Sequence, residues 1–272
     1  MKRRDFLKGM SLIPFAGIFG YEKTIEAIVE PVLPVIEFAK KLLLNCPGGL
    51  FKFKVDEYHK HLAWSYENNN QCLLLKYRQG GFSTFNLIQG LYDVIHKPKF
   101  NVAYISGNNS WSEEYLNMAV GIMCNNIEIF KPHYDYLHVV DGLILEIKFK
   151  NGNKMMFSSE SFRGRQVDRV FFDEAAWIPN LKKLHESLFL ATCKSNHKGM
   201  KLCFTSTPNR AKGYFYDIYK KSKKGDLPIK VLKYDYLKSK YWRDRPEDVI
   251  ALRKNLSKNN FNQEMLCEFL PI

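Results

Sequence analysis

"KYRQGGFST", residues 76–84, follows the apolar run "CLLL" (residues 72–75) and precedes the helix-like run "FNLIQGLYDVI". A strand that turns through glycines into a helix presents free backbone N–H groups at the helix start, and such a loop can cradle phosphate. The common form of this loop ends Gly-Lys-Ser/Thr. Here Phe82 stands in the Lys position. Gly80 and Gly81 still supply the turn, and Ser83 supplies a hydroxyl of the kind that holds magnesium. Only the side-chain charge is missing, so it must come from another part of the loop. Lys76 and Arg78 flank its start, where either can fold back over phosphates, Arg as a bidentate fork and Lys as a point charge. Lys76 is the favoured contact because it stands where the strand ends; Arg78 then shares the terminal phosphate or senses it. Phe82 reads as packing beneath the loop. The candidate ATP-binding residues are therefore Lys76, Arg78, Gln79, Gly80, Gly81, Phe82, Ser83 and Thr84.

A triphosphate site needs more than the loop. One carboxylate at a strand end holds magnesium, a second orients the attacking water, and a further element senses the terminal phosphate. "RVFFDEAAW", residues 169–177, runs an apolar strand into Asp173 and Glu174. Alone this is weak, since a strand followed by a helix cap produces the same pattern. "CFTSTP", residues 203–208, is a strand ending in the hydroxyls Ser206 and Thr207. Taken singly it is an ordinary strand exit. The order of loop, acidic pair and hydroxyl strand is what sets the combination apart from chance. It points to ATP with Mg2+, with Ser83 and Asp173 as metal ligands.

Outward from these motifs, strand-like and helix-like segments alternate, which is the signature of an α/β sheet with crossover helices. Strands are expected at residues 71–77, 101–106, 168–172 and 200–205. Helices are expected at 55–66, 83–95, 110–123, 180–193 and 213–223. In "LILEIKFKNGNKMMFSS", Leu145, Ile147 and Phe149 fall on one face and Glu146, Lys148 and Lys150 on the other, with Asn151-Gly152 as the turn. That predicts an antiparallel β-hairpin beside a mainly parallel sheet. Residues 22–46 read as helix, broken at "NCPGG", and the C-terminal stretch reads as two short helices joined at residues 256–257. The expected division is an N-terminal helical segment over residues 1–50 and an ATPase domain over 51–272.

The chain has 272 residues, 46% hydrophobic, enough to bury one substantial core. Lys and Arg number 41 against 28 Asp and Glu, a net charge of +13 that suits a polyanion such as nucleic acid. The 6 Cys show no C-x-x-C pair and no zinc spacing with the 7 His, which suits reduced thiols in a cytoplasmic protein. At the N-terminus, "KRRDFLKG" followed by "MSLIPFAGIFG" resembles a twin-arginine export signal, yet no small-x-small cleavage site follows. The apolar stretch is also shorter than the roughly 20 residues that cross a membrane. The segment reads as a basic amphipathic one, in a cytoplasmic protein with no membrane partner.

Together, "KYRQGGFST", "RVFFDEAAW", "TSTPNRAKGYFYDIY" and "FNQEMLCEFL" resemble the ATPase domain of the large terminase subunit of tailed bacteriophages, over about residues 51–269. The resemblance implies a P-loop NTPase fold of the ASCE, RecA-like kind and an ATPase that drives double-stranded DNA into a procapsid. It implies portal protein and small terminase subunit as partners, and a homo-oligomeric ring. It assigns phosphate contact to Lys76 or Arg78, magnesium to Ser83 and Asp173, the catalytic base to Glu174, and coupling to Ser206 and Thr207. "SFRGRQVDR" is similar to a family stretch rich in Gly and Arg, and His59 in "VDEYHKHL" only loosely matches the adenine-side Gln. Large terminases continue into a nuclease domain of clustered acidic residues, and no such set follows Pro208, so no DNA cleavage is expected. The rival readings are a helicase-like nucleic-acid-dependent ATPase and an exported, non-enzymatic basic protein.

Overall fold

The computed structural model describes residues 33–140, 144–162, 164–192 and 199–271; residues 32–272 form one compact unit. The export-like segment lies outside the described residues. In chain order the strands are β1 (Leu43–Cys46), β2 (Gly49–Lys52), β3 (Gln71–Lys76), β4 (Val102–Ile105), β5 (Tyr134–Val140), β6 (Ile144–Phe149), β7 (Lys154–Ser158), β8 (Arg169–Asp173), β9 (Lys201–Ser206) and β10 (Lys230–Tyr234). The helices are α1 (Pro34–Lys41), α2 (Glu57–Asn68), α3 (Phe82–His96), α4 (Asn109–Asn125), α5 (Ile127–Phe130), α6 (Leu181–Thr192), α7 (Tyr214–Lys224), α8 (Lys240–Arg243), α9 (Pro246–Asn255) and α10 (Lys258–Glu264).

An 8-stranded sheet runs in the order β10-β3-β9-β8-β4-β7-β6-β5. From β10 to β7 neighbouring strands are parallel, while β7, β6 and β5 pair antiparallel. The expected hairpin is present, and β5 extends it by one more strand. Parallel strands with helices on their faces must be apolar on both sides. β8 is buried at every position, and β3 and β9 at every position but the first. The strand carrying the loop (β3) and the strand carrying the acidic pair (β8) are separated by β9, the strand that ends in Ser206. That separation is the ASCE arrangement. Leu75 pairs with Ser206, and Thr205 with Asp173, so the ends of all three strands lie side by side. Ligands of open α/β sheets bind at this carboxyl edge.

Three expectations need correcting. The helix expected over residues 22–46 is, within the described part, only Pro34–Lys41; residues 43–52 instead form the hairpin β1–β2. "NCPGG" is its turn, with Gly48 and Gly49 at φ 101° and 126°, conformations that glycine reaches without strain. Glu146 was expected on a solvent face, but it is 2% exposed and pairs with Lys154 at 2.8 Å and Arg165 at 3.4 Å. The segment after β7 covers that face, so period-two alternation overstated its exposure. Strand β10 was not anticipated. It is an edge strand with Lys230 and Lys233 exposed, and its apolar count is low because only one face is covered.

At the opposite edge of the sheet, Arg169 opens β8 with its side chain fully buried. It donates to Asp93 of α3, and at 2.8 Å to Glu67 of α2, while Lys97 lies 2.9 Å from both carboxylates. Burial alone would raise Glu67, but Arg169 and Lys97 outweigh it and hold the carboxyl at about 2. Removing one partner from a buried pair strands the other charges, at a cost of about 3–5 kcal/mol. Arg169→Met is thus expected to lower the urea midpoint by that amount divided by an unchanged denaturant slope. A shift equivalent to less than about 1 kcal/mol would mean that the network adds nothing beyond a surface pair. Among the described residues, no helix is long and apolar enough to cross a membrane.

Candidate nucleotide site

The loop is held from below. Gln79 and Gly81 have φ of 64° and 71°, the left-handed turn that carries β3 into α3. Gly80 permits no side chain: a Cβ there would lie 2.3 Å from the Phe82 ring and 2.7 Å from that of Tyr77. The Tyr58 hydroxyl donates to the Gly80 carbonyl at 2.9 Å and lies 3.2 Å from the Tyr77 hydroxyl. Phe82 is buried, its ring 4.9 Å from Tyr58 and stacked 6.0 Å from Tyr234. So only the backbone of Phe82 lies on the loop; its side chain is the floor. A Lys side chain could not take that apolar berth without burying a charge.

His59 is part of this floor. Its Nδ1 accepts the Asp56 N–H at 3.0 Å, which leaves the proton on Nε2, facing Gly80. Burial holds the imidazole neutral, with a pKa lowered to about 3. At 2% exposure beneath the loop, it has no open face to offer a nucleobase. The adenine-side match does not extend to its geometry.

Above the loop sit the acids. Asp173, the last residue of β8, is fully buried; Oδ1 accepts the Glu174 N–H at 3.0 Å, and Oδ2 has no hydrogen-bond partner. Burial raises its pKa, opposed by Lys76 and by the hydroxyls of Ser83 and Tyr115 that face it. An unpartnered carboxylate oxygen beside a serine hydroxyl is a fitting donor set for a hard divalent cation. Glu174 itself has φ 50° and ψ 46°. That left-handed turn, costly for a residue with a Cβ, returns its carboxylate over the sheet edge. Oε1 accepts from Lys76 Nζ at 2.5 Å, and Oε2 accepts from the Ser206 hydroxyl at 3.3 Å and the Thr207 N–H at 3.4 Å. Lys76 is nearly buried, which alone would lower its pKa, but Glu174 and Asp173 together keep the ammonium above its ordinary value.

The fold therefore brings Lys76, Ser83, Asp173, Glu174, Ser206 and Thr207 to one place. Arg78 is set apart. Its side chain is 71% exposed and approaches only Glu264 of α10, at 3.7 Å. Two contributors escaped the sequence reading. Tyr58 adjoins a residue that was noticed, but nothing marked its hydroxyl as a support. Tyr115 reaches the acids because α4 packs beside α3, a tertiary fact that no local spacing encodes.

The family model "Terminase large subunit, T4likevirus-type, N-terminal" matches residues 73–270, which hold the loop, the acidic pair and the hydroxyl strand. The chain belongs to this family. Among curated proteins, none matches this terminase chain in sequence. In structure it is similar to the large terminase ATPase domain of Thermus phage P74-26, at 18% identity and a TM-score of 0.60, covering 80% of this chain and 95% of that one. It is similar to the bacteriophage HK97 large terminase at 13% identity and a TM-score of 0.64, over 86% of this chain and 54% of that one. A third likeness, at 14% identity and a TM-score of 0.56, is to the large terminase of a thermophilic bacteriophage in complex with ATP-gamma-S, over 80% of this chain and 53% of that one. The chain thus spans about half the length of the last two. At these identities the likeness speaks for the fold, a P-loop ATPase sheet with flanking helices.

Proposed function

We propose that this terminase chain binds and hydrolyses ATP and uses the energy to drive double-stranded DNA into a phage procapsid, in the host cytoplasm. The observation that carries the reading is the position of Glu174, between the cation of the loop and the hydroxyls of β9. With no phosphate present, Lys76 neutralises Glu174. A bound triphosphate offers Lys76 a stronger anion, and Glu174 is then released to accept a proton from the attacking water. Ser206 and Thr207 hold the other carboxylate oxygen, so β9 feels whether Glu174 is engaged. Magnesium fits at Ser83 and the free oxygen of Asp173, and when bound it supplies neutralisation of the phosphates.

The DNA partner is supported by the net charge of +13. A candidate contact is the exposed end of α7, with Lys220, Lys221, Lys223 and Lys224. Portal protein, small terminase subunit and a ring of copies of this chain are the partners such a motor needs. The test is phosphate release with and without double-stranded DNA at increasing salt. DNA is expected to stimulate hydrolysis regardless of sequence, and the concentration needed is expected to rise steeply between 50 and 200 mM salt, by roughly a factor of 10³ if about 6 phosphates are contacted. Hydrolysis indifferent to DNA, or stimulation flat in salt, defeats the motor reading; unwinding of a duplex would favour a helicase-like enzyme.

A further inference from the structure

Beside the loop, α4 and the hairpin β1–β2 enclose an open groove of about 620 Å³ whose lining includes Thr84, the residue after Ser83. We propose that this groove holds the nucleoside of the bound nucleotide, with the base over its apolar floor and the ribose at its acidic rim. The proposal rests on the reading of residues 76–84 as the phosphate loop and names what that reading leaves open.

Three features point to a nucleoside. The groove starts at the first turn of α3, so a ligand whose phosphates lie on the loop carries its sugar and base to within reach of it. Its volume falls in the range of small-ligand sites. Its walls are also sorted by polarity. Leu44, Met118 and Ile122 offer apolar surface to a ring, while Glu114 and Asn117 stand exposed on the rim. Carboxylates repel phosphates but accept from sugar hydroxyls and exocyclic amines. With Lys76 on the loop and glutamates at the groove, electrostatics orients a nucleotide one way only.

The groove is also fixed in shape. The Asn126 side chain accepts the Leu43 N–H at 2.8 Å and donates to the Leu43 carbonyl at 2.9 Å, as a neighbouring strand would. This pins the hairpin wall to the end of α4. His59, the residue matching the family's adenine-side position, is sealed under the loop and leaves base recognition to another surface.

Gly121 provides the test. It lines the groove, and a Cβ there would meet nothing within 4 Å, so a larger side chain grows into the groove without disturbing the fold. Binding of Mg·ATP and of Mg·tripolyphosphate, which lacks base and sugar, is measured by calorimetry on the parent and on Gly121→Phe. ATP affinity is expected to fall by about tenfold or more, with tripolyphosphate affinity within a factor of about 2. In the parent, ATP but not tripolyphosphate is expected to slow alkylation of Cys46, an exposed groove residue, read by peptide mass spectrometry. Unchanged ATP affinity in a folded Gly121→Phe, equal losses for both ligands, or no protection of Cys46 would each overturn the proposal. A parent that binds neither ligand would instead overturn the phosphate-loop reading, and this inference with it.

Discussion

Glu174→Gln is expected to lower ATP turnover by on the order of a thousandfold while nucleotide binding is kept. The substitution preserves shape, and the amide can still accept from Ser206 and Thr207, but it cannot take a proton. It also deprives Lys76 of its anion at 2.5 Å, so the ammonium is free for phosphate and ATP binding is expected to hold or tighten. Asp173→Ala should behave differently. It removes the buried oxygen that has no donor in the protein, so binding itself is expected to lose its magnesium dependence. Single-turnover hydrolysis and equilibrium nucleotide binding, each with and without magnesium, separate the two. Near-normal hydrolysis by Glu174→Gln would remove it from the chemistry and leave the carboxylate as a mere anchor for Lys76.

That two adjacent acids have distinct roles was legible from residues 169–177, because an apolar strand ending in Asp-Glu buries the first and turns the second outward. The burial of Asp173 and the one-quarter exposure of the Glu174 side chain follow that expectation. The sheet core was legible for the same reason: β3, β4, β8 and β9 are buried on both faces and read as unbroken apolar runs. What stayed hidden was set by distance in the chain. Arg169 looked like the polar start of a strand, yet it is completed by carboxylates from α2 and α3. Tyr115 and Asn126 sit in an unremarkable helical pattern, and only packing brings one to the acids and the other to the hairpin. Strand β10 carries exposed lysines, and its identity comes from pairing with β3, not from its own composition.

The loop's cation decides the second large effect. Lys76→Ala is expected to reduce turnover by on the order of a thousandfold, the scale on which an essential charge at developing phosphate anions acts. Its side chain is 7% exposed and already lies among the carboxylates of the site, so it needs only a small movement to reach phosphate. Arg78 starts from a different position. With 71% of its side chain exposed and only a 3.7 Å approach to Glu264, it is held by a pair that contributes under about 1 kcal/mol. Swinging it inward therefore costs little, but it must cross from the α10 side, and Arg78→Ala is expected to slow turnover by less than Lys76→Ala. Phe82→Met should be mild, since a flexible apolar side chain of similar volume can refill the aromatic floor at under about 1.5 kcal/mol. Lys76→Ala has one further consequence. It leaves Asp173 and Glu174 without their shared cation, so proton uptake by the pair is expected to begin at higher pH than in the parent, visible by carboxyl NMR or in the pH dependence of magnesium binding. If Lys76→Ala turns over ATP like the parent and Arg78→Ala is dead, the two cations exchange roles. If both resemble the parent and Phe82→Met is dead, the charge comes from outside the loop and residues 76–84 work in another way.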